Sequence, residues 1–192
     1  MNEQIILHDN SHIQGEKYKE EKIDGKIYRM APPCDEHIDV QGNLLTIFNN
    51  YFKQSKKPCR VRHGSNLIID EDNYVEPDLQ IICREKDNKD VPVIVVEVLS
   101  KSTMKRDLGV KMKKYESLGI KEYWIISWEA SSITVYLLNE NKKYEFSNAY
   151  SVFTEKDKLE EDIIKEIVTA FSPSSFPELV IKLEDVFDIY WD

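Results

Sequence analysis

The segment Val93-Ile94-Val95-Val96-Glu97-Val98-Leu99-Ser100 constrains this chain more than any other. An uninterrupted β-branched run predicts a strand buried on both faces, and so an interior position in a covered sheet. A carboxylate in such a strand is costly unless it is paired, hydrogen-bonded or bound to a cation. Glu97 therefore needs partners. A second acid, Asp78, follows Pro77 and heads another apolar run, Leu79 to Cys83. Two acids on neighbouring strands can converge on one divalent metal ion, whose hard charge suits carboxylate oxygens. Without that convergence, Asp78 is a turn acid and Glu97 a strand-end acid facing water.

The pattern around these acids alternates strands and helices. Lys22 to Met30, centred on Asp24-Gly25, reads as a β-hairpin. Pro32-Pro33 breaks the chain, and Asp35 is placed to N-cap an amphipathic helix carrying Ile38, Leu44, Leu45, Ile47, Phe48, Tyr51 and Phe52. Cys59 to Ile69 and Val75 to Cys83 read as strands, with a turn at Glu71-Asp72-Asn73 between them and a charged loop over 84–90. After the central strand, Met104, Leu108, Met112, Tyr115 and Leu118 recur at helical spacing, and Gly119 suits the C-terminal cap. Ser100, Ser102 and Thr103 are placed to cap that helix. Tyr123 to Ser127 and Ile133 to Leu138 follow as strands, the latter opening a hairpin with Lys143 to Phe146. Strand, helix, strand from 93 to 127 makes a βαβ crossover. Residues 1–15 lack apolar periodicity and read as a loosely ordered leading segment. Residues 155–166 form an acidic excursion, and Leu183 to Tyr190 a short final helix.

With 192 residues, the chain suits a single α/β domain with a real core. No apolar run approaches the ~20 residues that span a bilayer, and no signal-like segment opens the chain. Cys34, Cys59 and Cys83 are odd in number and far apart, which points to a reducing, cytoplasmic setting rather than a disulfide framework. A net charge of −9 works against binding a polyanion, so any nucleic-acid partner requires a local basic patch. Residues 101–114 supply a candidate: Lys101, Lys105, Arg106, Lys111, Lys113 and Lys114 against Asp107 alone. Such a run is also what the solvated face of a helix looks like.

Pro77-Asp78 followed by Glu97 resembles the first part of a PD-(D/E)XK nuclease signature, but the lysine expected two residues after the acid is Leu99 here. A fuller likeness runs through Pro77-Asp78-Leu79, Glu97-Val98-Leu99-Ser100, Ser102-Thr103, Asp107, Lys111, Tyr115, Gly119 and Glu122-Tyr123-Trp124. Upstream it takes in Glu21, Ile23-Asp24-Gly25, Met30, Pro32-Pro33 and His37. This string resembles the Uma-type family of restriction endonucleases over roughly residues 16–187. The resemblance implies a restriction-endonuclease-like fold, a mixed central β-sheet flanked by helices, and Mg²⁺- or Mn²⁺-dependent cleavage of nucleic acid, DNA above all. It implies that the displaced lysine comes from the following helix, at Lys111, with Lys101 as the competitor.

The implied site joins Asp78 and Glu97 as metal ligands with the backbone carbonyl of Val98 as a third oxygen. Lys111 is a catalytic cation or, alternatively, one half of a surface i,i+4 pair with Asp107. Glu21 matches an early acid near the metal, with Glu20 as the neighbouring alternative. His37 can act as base or phosphate donor, or simply pack at a helix start. Tyr115, Tyr123 and Trp124 read as core aromatics. Cutting both strands would call for a two-fold homodimer. The competing class is a nuclease-like binding module without turnover, and a third is an enzyme acting on a small phosphoester.

Overall fold

Alternation within one strand decides how the two halves of the core meet. The computed structural model describes residues 19–84, 91–153 and 167–189. In β7 (Ile94–Val98) every residue is buried. Ile94, Val96 and Val98 point into one hydrophobic cluster, and Val95 points into the other. Glu97 shares the face of Val95, since side chains two apart lie on the same side of a strand.

β7 sits inside a six-stranded sheet of order β10-β9-β8-β7-β6-β3. Its members are β3 (Cys59–Arg62), β6 (Leu79–Cys83), β7, β8 (Glu122–Ser127), β9 (Ser132–Leu138) and β10 (Tyr144–Ser151). β7 and β8 are parallel, as the crossover predicts, and the other pairings are antiparallel. A four-stranded sheet of order β2-β1-β5-β4 holds β1 (Lys19–Ile23), β2 (Lys26–Met30), β4 (Leu67–Asp70) and β5 (Asn73–Val75). A small pair, β11 (Ala170–Phe171) and β12 (Ile181–Lys182), precedes a final turn of helix, α4 (Leu183–Val186).

Helix α1 (Asp35–Ser55) covers one face of the larger sheet. Val40, Leu44, Phe48 and Phe52 recur every fourth residue and are buried there with Trp124, Phe171 and Phe176. The opposite face receives Ile23, Leu67 and Val75 from the smaller sheet, with Tyr115 and Ile120. The helix after β7 runs as α2 (Met104–Arg106), a π-turn (Asp107–Lys111) and α3 (Met112–Leu118). Gly119 closes it in the left-handed conformation, φ 75°, as its sequence position suggests.

Several expectations need correction. The strands foreseen over 59–69 and 75–83 are each split between the two sheets. Gly64, at φ 57°, and Pro77 mark the breaks. The hairpin at Asp24-Gly25 exists, with both turn residues at positive φ, but its first strand begins at Lys19. Asp35 is the first residue of α1 rather than its cap; Cys34 holds that position without a side-chain hydrogen bond. Ser100, Ser102 and Thr103 hydrogen-bond to one another instead of capping α2 with a side chain.

Cys59 and Cys83 stand directly opposite on β3 and β6 and are joined as a disulfide, leaving Cys34 free and exposed. An odd count had hidden a cross-strand pair that only the register reveals. Among the described residues, no helix is long and apolar enough to cross a membrane. The leading segment 1–15, the excursion 155–166, most of the 84–90 loop and the end of the last helix at Tyr190 lie outside the described residues.

Candidate active site

Pro77 breaks the strand pattern where the chain passes from the smaller sheet to the larger, and this places Asp78 at the head of β6. β6 pairs with β7, so Asp78 reaches the backbone of the neighbouring strand: the Val98 N–H donates to its Oδ2 at 2.8 Å. His37 heads the buried stripe of α1, and its Nε2 lies 3.3 Å from Asp78 Oδ1 and 2.9 Å from Gln41 Nε2. Lys19 Nζ reaches the same Oδ1 at 3.0 Å. These groups line a cleft of about 670 Å³ at one end of the larger sheet, together with Glu97, Val98 and Lys111.

Behind Asp78 lies a second, drier cluster. The ammonium of Lys111 sits 2.7 Å from Glu21, 2.9 Å from Glu97 and 3.0 Å from Asp107. All four side chains are at most 3% exposed. An ammonium has three protons, and three carboxylates surround this one. The Tyr115 hydroxyl adds a 2.5 Å hydrogen bond to Glu97 Oε1, and the Glu76 N–H donates to Glu21 Oε1 at 3.2 Å. The π-turn carries both Asp107 and Lys111, and such turns recur at functional sites. The i,i+4 pairing of these two residues is thus real but buried, not the surface pair weighed from sequence.

The charges do not balance. Among the described residues, Glu21, Asp78, Glu97 and Asp107 face only Lys111 and Lys19 as permanent cations. Burial pushes the pKa of Glu97 up to about 8, with Asp107 and Asp78 adding repulsion that Lys111 only partly offsets. For Asp78 the burial penalty is outweighed by the His37 hydrogen bond, the Lys19 charge and the Val98 N–H, so its pKa falls. Burial also opposes the charge on Lys111, but Glu97, Asp107 and Glu21 overcome it and raise its pKa. Glu21 Oε2 and both Asp107 oxygens accept no hydrogen bond among the described residues.

Folding stability should follow these two carboxyls. The folded state holds a proton on Glu97 more tightly than the unfolded chain, so stability falls as pH rises from about 4.5 to about 8. Asp78 contributes stability above its ordinary value of 3.8 and loses it as pH falls further. Metal-free protein unfolded thermally between pH 5 and 9 should therefore lose melting temperature with rising pH; a rising profile would contradict this electrostatic picture.

The donor set suits a hard divalent cation: two carboxylates, Asp78 and Glu97, at the cleft with backbone oxygen nearby and surplus negative charge behind. No three His, Cys, Asp or Glu side chains among the described residues converge on one metal-sized point. Any ion held here would rely on Asp78, Glu97, a main-chain carbonyl and water or substrate oxygens.

The sequence-derived set is largely brought together. Asp78, Glu97, Lys111, Glu21, His37 and Val98 share this region, and burial separates Glu21 from Glu20, which pairs outward with Arg29. Lys101 stands apart from the acid cluster, its side chain 89% exposed and 3.7 Å from Glu129. The run 101–114 is not one free basic face, since Lys111 is buried, Lys114 pairs with Asp24 and Arg106 stacks on Tyr28. Tyr115, Tyr123 and Trp124 are core residues, though Tyr115 also touches Glu97. Lys19 was missed. Its signal was its place two residues before Glu21, on the same face of a strand begun three residues too late.

A mixed sheet flanked by helices, with paired acids at the head of one strand and inside the next, defines a restriction-endonuclease-like α/β protein. A solved structure of a putative nuclease from Anabaena variabilis shares this fold at 19% identity, with a TM-score of 0.65 over 88% of this chain and 89% of that one. The chain belongs to the Uma2 family, described as "Putative restriction endonuclease", whose profile matches residues 7–172. It is also similar to an uncharacterized protein of Synechocystis sp., at 29% identity over 177 residues, covering 86% of this chain and 88% of the relative.

Proposed function

We propose that this protein is a metal-dependent endonuclease that hydrolyses phosphodiester bonds in nucleic acid, DNA in particular. The observation that carries the reading is Glu97: a carboxylate inside a fully buried strand, opening on the cleft beside Asp78, within a cluster whose acids outnumber its cations. Mg²⁺ or Mn²⁺ held by Asp78, Glu97 and the Val98 carbonyl would activate water and neutralise the leaving oxygen.

The chain's own residues divide the remaining work. Lys111, enclosed by three carboxylates, positions Glu97 and keeps its carboxylate turned to the cleft. Glu21 and Asp107 hold Lys111 in turn. Lys19, 26% exposed at the cleft wall, is the cation that can leave Asp78 and meet a phosphate. Asp78 and Glu97 raise its pKa against the opposing effect of burial, so it stays charged. His37, in contact with Asp78, is placed to move a proton at the cleft.

A nuclease-like binding module is the second reading. It is favoured by the Lys19–Asp78 ion pair, which already compensates the charge of Asp78. Incubating supercoiled plasmid with wild type, Asp78→Asn and Lys19→Met in 5–10 mM Mn²⁺ or Mg²⁺ separates the two. The endonuclease reading expects metal-dependent nicking, abolished by Asp78→Asn and slowed by Lys19→Met. Plasmid retained but never cut, with or without metal, would favour the binding module.

A further inference from the structure

The edge of the larger sheet carries three arginines that no carboxylate among the described residues neutralises. Arg60 and Arg62 lie two apart on β3, and so on one face. The register pairs them with Ile82 and Gln80, and the Arg84 N–H donates to the Pro58 carbonyl at 2.8 Å, which extends the ladder one step further. Arg84 therefore joins the same face. Cys59, Val61 and Cys83 take the opposite face, against the core beneath α1. The arginines line a shallow depression of about 340 Å³ with Pro58, Cys59 and Ile82. All three are exposed, and no carboxylate pairs with any of them among the described residues.

Position gives this row a direction. β3 ends at Arg62, and the next two residues, His63 and Gly64, line the cleft that holds Asp78 and Glu97. At about 3.3 Å per residue, the step from Pro58 to Arg62 spans about 13 Å of strand leading to that cleft. A guanidinium matches a phosphate with two parallel hydrogen bonds and stays charged throughout the working pH range. In a chain of net charge −9, uncompensated cations on one face are where a polyanion would meet least repulsion.

We propose that Arg60, Arg62 and Arg84 form a backbone-binding track for duplex DNA, feeding the strand into the cleft. The choice of DNA rests on the endonuclease reading above; the track itself does not need turnover. Charged residues on an edge strand also discourage sheet-to-sheet aggregation, and that role alone would explain arginines here. Neutral glutamines test the difference, since they keep the edge polar while removing the phosphate partners.

The experiment measures binding of a 20-bp duplex without divalent metal, across 50–300 mM salt. Compared are wild type, Arg60→Gln/Arg62→Gln/Arg84→Gln, and Lys26→Gln/Lys121→Gln/Lys142→Gln. The second triple makes the same charge change on exposed positions at the strand ends away from the cleft. The track predicts that the arginine triple weakens binding about two to three orders of magnitude near 0.1 M salt. Its slope of log K against log salt should become shallower by about 2.7, at about 0.9 for each phosphate no longer neutralised. The lysine triple should bind much as wild type does. Equal losses in both triples, unchanged binding in the arginine triple, or no binding by wild type would each overturn the track. Plasmid cleavage reports separately on the endonuclease reading, so either can fail alone.

Discussion

Lys111→Met should destabilise the fold by about 3–5 kcal/mol, the cost of leaving buried charges without their partner. Three carboxylates lie within 3.0 Å of that ammonium, at most 3% exposed, and no other lysine or arginine is paired with Glu21, Glu97 or Asp107 among the described residues. Against a total stability of roughly 5–15 kcal/mol for a domain, the loss is large enough to leave a marginal protein partly unfolded at room temperature. The loss should be greater at pH 8 than at pH 5, because the orphaned acids can take up protons in mild acid. Adding Glu97→Gln to the same chain should recover part of it by removing one of the repelling charges. Urea denaturation of the single and double variants at both pH values reads all of this. An unchanged midpoint in Lys111→Met would mean that the lysine holds nothing together and serves chemistry alone.

Glu97→Gln alone is expected to behave in the opposite way. The amide keeps the shape of the side chain and removes a carboxylate whose ionisation the fold resists, since its pKa is pushed up to about 8. Above that pH the metal-free variant should be at least as stable as wild type. Its cleavage should nevertheless fall by about a thousandfold or more, because a metal site that stabilises developing charge contributes several kcal/mol, and each 1.36 kcal/mol is tenfold in rate. Initial rates of plasmid nicking, set beside thermal melts of the same preparations, check both halves. A variant that loses activity only in proportion to lost folded protein would make Glu97 a structural acid.

Much of this site was legible because its chemistry violates a burial rule. A glutamate in the middle of Val93–Leu99 announces partners, and Pro77-Asp78 marks an acid at the head of an apolar strand. The helical spacing foretold α1 but not all of its inward face: Ile38, counted with the apolar stripe, is exposed, and His37 takes the buried side with Val40 and Leu44. What stayed hidden depended on contacts between distant segments. Lys19 meets Asp78 across 59 positions, and the Cys59–Cys83 bond needs the β3–β6 register. The two long strands foreseen from propensity were each broken by one backbone-directing residue, Gly64 or Pro77, whose effect is to switch sheets rather than to end a run. The π-turn leaves no trace in a pattern of helical spacing, yet it brings Asp107 and Lys111 inward together.

Thermal unfolding at pH 7.5 with and without 5 mM MnCl₂, on wild type and Glu97→Gln, tests the central claim most directly. A ligand that binds only the folded state raises its stability in proportion to the logarithm of occupancy, independent of any substrate. A divalent site at Asp78 and Glu97 predicts a clear rise in melting temperature for wild type, and no rise for the variant. The same small shift in both proteins, or none in either, would contradict a metal centre built on Glu97.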